Sequence, residues 1–188
     1  MDFSKTALVL VDMQKGILEI PTAPHSSETI LKNAKKLITL FREKGGFIAF
    51  VRVKFHDGND MLAPNAMTSL PGNKNVGGFS DFPDELAVKE NDYIVDKRGF
   101  SGFFGTDLEL QLRRRGIDTI VLGGIATHGA VDSTARDAYQ YAYNQYFITD
   151  MMTSTAKELH DLPIENLFPL MGQTMTTEQF LTLSDDKS

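Results

Sequence analysis

Apolar residues fall in short unbroken runs, separated by segments in which they recur every three or four positions. Ala7–Val11 (ALVLV), Phe47–Val53 (FIAFVRV), Tyr93–Val95 (YIV), Thr119–Leu122 (TIVL) and Gln145–Thr149 (QYFIT) are the runs. Such runs suit strands covered on both faces. After the first, Ile30, Leu31, Ala34, Leu37, Ile38 and Phe41 share one stripe, which predicts a helix over about Glu28–Lys44. Gly45-Gly46 ends it. Thr106 is placed to cap a helix running to Arg115, with Gly116 as its stop. His128 to about Ala142 and Thr155–Phe168 read as further helices. A short strand near Gln173–Met175 and a closing helical turn or two complete the pattern, with a frayed tail from Asp185 to Ser188.

This alternation requires a mostly parallel sheet with helices on both faces. The expected fold class is α/β: a three-layer αβα sandwich with a Rossmann-like sheet of about six strands. No repeat, low-complexity tract or linker divides positions 1–188, so one domain is expected. Lys54–Pro83 breaks the alternation. It is rich in Gly, Pro and Asn, and a loop of that length is commonly a lid or binding loop.

Open parallel sheets bind ligands beyond the carboxyl ends of their strands. Asp12 and Gln14 follow the first run, and Asp96, Lys97 and Arg98 follow the third. The glycine-containing turn Gly123–His128 follows the fourth. An acid, a base and a turn opening a helix therefore converge on one edge. Loss of hydration at a buried strand end raises a carboxyl pKa, and a nearby ammonium lowers it. An Asp12–Lys97 pair is thus suited to proton transfer, although a strand-end Asp also caps turns without any chemistry. Lys97 alone is a weaker signal, since most lysines are solvated. The backbone N–H groups of Gly124–Thr127 form either an anion site or an ordinary tight turn. His128 either lines the pocket or holds the turn.

Composition removes several function classes. Among 188 residues there is no Cys, which excludes disulfides, thiolate metal sites and a cysteine nucleophile. The net charge of −6 makes nucleic acid an unsuitable partner. Arg113-Arg114-Arg115 sits at a helix end, where it complements the dipole. No signal pattern or bilayer-length apolar run is present, so a cytoplasmic protein without a membrane partner is expected. His25, His56, His128 and His160 show no zinc spacing, and no metal is expected. His56 reads as a loop polar residue, and His160 as a surface or helix-packing one. Gly99, Gly102 and Gly105 make no dinucleotide fingerprint, and no P-loop is present, so no cofactor is expected.

Three blocks resemble the isochorismatase-like superfamily, also called the cysteine hydrolase fold group, over nearly the whole chain. The first is Ala7–Gly16, a strand ending in Asp followed by x-Gln. The second is Lys97–Leu108, a Lys, a small-small-Phe step, then Thr-x-Leu opening a helix. The third is Gly116–Thr119 with Gly124–Ala138. The resemblance implies that Asp12 is a general acid or base and that Lys97 assists it. It implies a cis peptide at Ile125-Ala126 and oxyanion donors at the N–H groups of Ala126 and Ala130. It places Gln14, Phe103 and His128 near the substrate. It also implies a small-molecule substrate and a homo-oligomer, a dimer or tetramer.

Many members carry a catalytic Cys where this chain has Ala130. A methyl group cannot attack a carbonyl, so water must attack directly. True isochorismatases also lack that Cys, but the long loop shows no match to their carboxylate-holding Gln and Arg. Lys54 stands where nicotinamidases carry a metal-binding Asp. The leading expectation is a metal-independent hydrolase of a small carbonyl- or carboxylate-bearing molecule. One alternative is a ligand-binding or oligomeric member without turnover. Another is a nicotinamidase-like cysteine amidase in which alanine replaces the nucleophile at position 130.

Overall fold

β1 (Thr6–Val11) is buried at every position and divides its side chains between two apolar layers. Ala7, Val9 and Val11 face one layer, and Leu8 and Leu10 the other. A strand needs this uniform apolarity when both of its faces are covered. The computed structural model describes residues 1–68 and 77–185. Around β1 stand β2 (Phe47–Val53), β3 (Tyr93–Lys97), β4 (Thr119–Ile125), β5 (Asn144–Thr153) and β6 (Gln173–Met175). The sheet order is β3-β2-β1-β4-β5-β6, and every neighbouring pair is parallel. The order reverses between β1 and β4, which marks the carboxyl end of that pair as the natural ligand crevice.

Among the described residues six α-helices complete the layers: α1 (Lys15–Leu18), α2 (Ser27–Lys44), α3 (Leu108–Arg114), α4 (Asp132–Gln140), α5 (Lys157–Asn166) and α6 (Thr177–Asp185). α2 and α6 cover one face through Ala34, Leu37, Phe41 and Phe180. α3 and α4 cover the other through Leu108, Leu112, Ala135 and Ala138. The expected three-layer arrangement is therefore observed. α2 begins where Ser26 Oγ accepts from Thr29 N at 3.2 Å and ends at Gly45, which is left-handed with φ 71°. The glycine stop was expected from the sequence, and the serine cap starts the helix one residue earlier than its apolar stripe suggested.

Element ends depart from the apolar pattern for identifiable reasons. β3 continues past Val95, because Asp96 and Lys97 still pair with Arg52 and Val53 of β2. β5 runs on to Thr153 after a register shift opposite Leu122 and Gly124. The third helix starts at Leu108, and Thr106 Oγ1 accepts from its backbone N at 3.2 Å. α5 stops at Asn166, and Pro169, which lacks an N–H, sits in the 3-10 turn Phe168–Leu170 that follows. The expected tail at 186–188 and positions 69–76 of the long loop lie outside the described residues. Among the described residues no helix is long and apolar enough to cross a membrane.

Candidate active site

The carboxyl ends of β1 to β4 are level. Val11 pairs with Val51 on one side and Gly124 on the other, and Val53 pairs with Lys97. Asp12 is the next residue after Val11. Its backbone is left-handed, with φ 55°, and its N–H donates to Val51 O at 2.8 Å. Few side chains tolerate this conformation, and Asp is among them.

Lys97 comes from β3, two strands away. Its side chain crosses the end of β2, and Nζ donates to Asp12 Oδ2 at 2.8 Å. Nζ also donates to Gly99 O and Phe100 O, each at 2.9 Å. The three ammonium hydrogens are thus directed at protein acceptors, and the side chain is 0% exposed. The Asp12 side chain is 6% exposed. Charges so deeply buried persist only when paired and hydrogen-bonded.

β4 supplies the turn above this pair. Gly124 has φ 141°, and a Cβ there would lie 2.0 Å from Val11 O. Only glycine lets the chain pass so close to the end of β1. The next peptide, Ile125-Ala126, is cis. A five-residue π-helical turn, Thr127–Val131, follows and leads into α4. Thr127 is buried and bolts this turn down: its hydroxyl donates to Thr153 O at 3.0 Å and meets His160 Nδ1 at 2.8 Å. Because the hydroxyl proton is spent on Thr153 O, His160 Nδ1 carries the hydrogen in that contact. Burial, and then His25 beside it, lower the His160 pKa to about 4. His160 is therefore a buried brace rather than a surface residue.

The segment after Lys97 is stitched to α4. Ser101 Oγ donates to Asp137 at 2.5 Å, and Gly102 N donates to Thr134 Oγ1 at 2.9 Å. Thr134 Oγ1 in turn donates to Ala130 O at 2.7 Å. The second and third sequence blocks are thus one hydrogen-bonded unit, which fixes Lys97 relative to the turn.

A cavity of about 230 Å3 opens beside Asp12 and Lys97. Ile125, Ala126, His128 and Ala130 line it, as do Phe55, Leu62, Phe79, Arg98 and Phe100. The sequence-derived candidates Asp12, Lys97, Ile125, Ala126, His128 and Ala130 therefore meet in one place. Two others do not. Gln14 is fully buried and does not line the cavity. Its amide donates to Val53 O at 2.9 Å and Phe79 O at 3.0 Å, and accepts from Val53 N at 2.7 Å. It ties down the end of β2 and the Phe79 wall. Phe103 faces the core instead, stacked on Tyr143 with ring centroids 5.9 Å apart. Phe100, three residues earlier, takes the cavity position.

Sequence reading also missed the apolar walls Phe55 and Leu62, carried by an aperiodic loop. Asp60 anchors that loop by accepting from His56 N at 3.0 Å and Arg98 Nε at 3.0 Å. Ser154, whose Oγ lies 2.5 Å from His128 Nδ1, gave no sequence signal, because the apolar run ends at Thr149 while β5 continues to Thr153. Burial lowers the His128 pKa below 6.5, opposed by the Asp132 carboxylate. Among the described residues, no group of three or more His, Asp or Glu is placed to hold a metal ion.

Comparison with known proteins places this geometry in context. A family profile described as the isochorismatase domain matches residues 6–179. The chain is 49% identical over 183 residues to the isochorismatase family protein YwoC of Bacillus subtilis (strain 168), covering 96% of this chain and 95% of that protein. It is 28% identical over 202 residues to the ureidoacrylate amidohydrolase RutB of Acinetobacter baylyi, covering 94% of this chain and 82% of that one. Among solved structures, an isochorismatase family protein from Burkholderia thailandensis matches with a TM-score of 0.90 and 34% identity, over 93% of each chain.

Proposed function

The chain belongs to the isochorismatase family of hydrolases, and from that premise we propose that it hydrolyses a small carbonyl- or carboxylate-bearing molecule without a metal, with Asp12 carrying the proton and water attacking directly. The supporting observation is the Asp12–Lys97 contact at 2.8 Å beside a cavity in which Ala130 offers no nucleophile. Lys97 is occupied with protein acceptors, so it positions and charge-compensates Asp12 rather than binding substrate.

In this reading the proton of an attacking water passes to the Asp12 carboxylate while the water oxygen bonds to the carbonyl carbon. The carbonyl electron pair moves onto oxygen, beside the backbone N–H groups of Ala126 and Ala130. On collapse the leaving atom departs with its bonding pair and recovers the proton from Asp12. The apolar walls Phe55, Phe79 and Phe100 lower the local dielectric and strengthen each electrostatic contact.

The amidohydrolase relative makes an amide a reasonable member of the substrate panel. Thiol-mediated amide hydrolysis is not open to this chain, because residue 130 is alanine. The same alanine favours a second reading, in which the cavity binds a small molecule without turning it over. Vinyl ethers, amides and imides supplied to wild type and Asp12→Asn separate these readings. Turnover by wild type that is lost in Asp12→Asn is expected. Equal turnover in both proteins, on every substrate accepted, defeats the proposal.

A further inference from the structure

His128 lines the cavity shared by Asp12 and Ala130, and its Nδ1 is held 2.5 Å from Ser154 Oγ. Ser154 is completely buried, and its backbone is bridged to Ala23 through hydrogen bonds of 3.1 and 2.8 Å. Its hydroxyl therefore has little freedom. Among the described residues, His128 Nδ1 is the hydroxyl's one hydrogen-bond partner. A buried O–H that donates to nothing is costly, whereas a hydroxyl oxygen that accepts nothing is tolerated. The hydroxyl must then donate to Nδ1, which places the ring hydrogen on Nε2.

The charge state agrees with this geometry. Burial holds the His128 pKa below 6.5, so the neutral ring predominates at pH 7. The Asp132 carboxylate, one turn on, opposes the shift, but it is engaged by Arg136 at 3.0 Å. Among the described residues, Asp12, Lys97 and Arg98 are the other charged groups lining the cavity. His160 meets the hydroxyl of the neighbouring Thr127 at 2.8 Å, and His25 packs edge-on against His160.

Resting on the hydrolase reading above, we propose that His128 is the side-chain electrophile of the site: its Nε2–H donates to the carbonyl oxygen of the substrate, and Ser154 is the positioning residue that fixes this tautomer. No proton is transferred; a neutral imidazole polarises the carbonyl that water attacks. The ligand class follows from the donor and the walls. It is an uncharged carbonyl compound, an amide, imide or ester, with an apolar body to lie against Phe55, Phe79 and Phe100.

The test uses benzamide as probe, because it pairs one strong carbonyl acceptor with an apolar ring. Nitrogen-15 spectra of the histidine rings at pH 7 are expected to show His128 as the Nε2–H tautomer. Ser154→Ala is expected to lose that preference, and benzamide to shift Nε2–H in wild type. His128→Phe is expected to weaken benzamide binding about tenfold, the order of one lost hydrogen bond. An Nδ1–H tautomer in wild type, equal affinity in His128→Phe, or no benzamide binding at millimolar concentration overturns the inference. Asp12→Asn serves as the separate arm. Retained turnover there, with benzamide still contacting His128, removes the Asp12 reading and leaves His128 standing.

Discussion

Lys97 Nζ lies 2.8 Å from Asp12 Oδ2, although 85 positions separate the two residues. Each would be an uncompensated buried charge without the other, so breaking the pair is expected to cost far more than a surface ion pair. Lys97→Met removes the ammonium and keeps an apolar stem. The expected loss is about 3–5 kcal/mol, read as a lower urea midpoint at unchanged m-value. A loss under about 1 kcal/mol would show that the pair does not hold in solution.

Gly124 carries a second, purely steric prediction. A methyl group there would sit 2.0 Å from Val11 O, at a φ of 141° that L side chains rarely adopt. Neither β1 nor β4 can retreat, since both are buried in the sheet centre and registered to each other. Gly124→Ala is expected to destabilise the fold by roughly 3 kcal/mol or more, seen as a drop in Tm or as insoluble protein. Gly129→Ala is the control, because a Cβ there meets only the Ala126 side chain, at 4.0 Å. Equal effects of the two substitutions would contradict the close approach.

The fold was legible because its determinants are local. ALVLV, FIAFVRV and TIVL declare buried strands, and Gly45 ends α2. The Asp12–Lys97 pair was legible because strand-end position and the family blocks coincide. The cavity walls were not. Phe55 and Leu62 sit in a loop whose shape depends on Asp60 bridging His56 and Arg98, a long-range contact without periodicity. Gln14 and Phe103 were expected at the substrate because motif adjacency was read as spatial adjacency. Gln14 is used to satisfy Val53, and Phe103 turns to Tyr143, since a residue beside a site often serves to hold its frame.

His160 makes acid stability testable. Its pKa falls from 6.5 to about 4 in the fold, first through burial and then through His25. The unfolded chain therefore binds the proton more readily than the native one. The contribution is fully present above pH 6.5 and is lost progressively as pH falls toward about 4. Tm is expected to decline across that window in wild type. In His160→Asn, which keeps a donor near the position of Nδ1 but does not titrate, the decline should be shallower. Identical profiles would mean that His160 is accessible to protons in the native state.

Ala130 offers the most direct probe of what the site was built to do. It is buried, it lines the cavity, and its carbonyl is held by Thr134, so its Cβ is fixed relative to Asp12 and Lys97. Because Ala130 lines the cavity, a Cys at this position is expected to present its sulfur there. If the Asp12–Lys97 pair and the 126–130 turn form a hydrolytic frame, that sulfur gains both a proton acceptor and a cradle for negative charge. Ala130→Cys is therefore expected to be alkylated by iodoacetamide and to release a stoichiometric burst of nitrophenol from p-nitrophenyl acetate. Adding Asp12→Asn should slow both reactions by about a hundredfold or more, the lower end of what a lost proton acceptor costs. A thiol at 130 that reacts no faster with Asp12 than without it would mean that the carboxylate stabilises the fold and moves no proton.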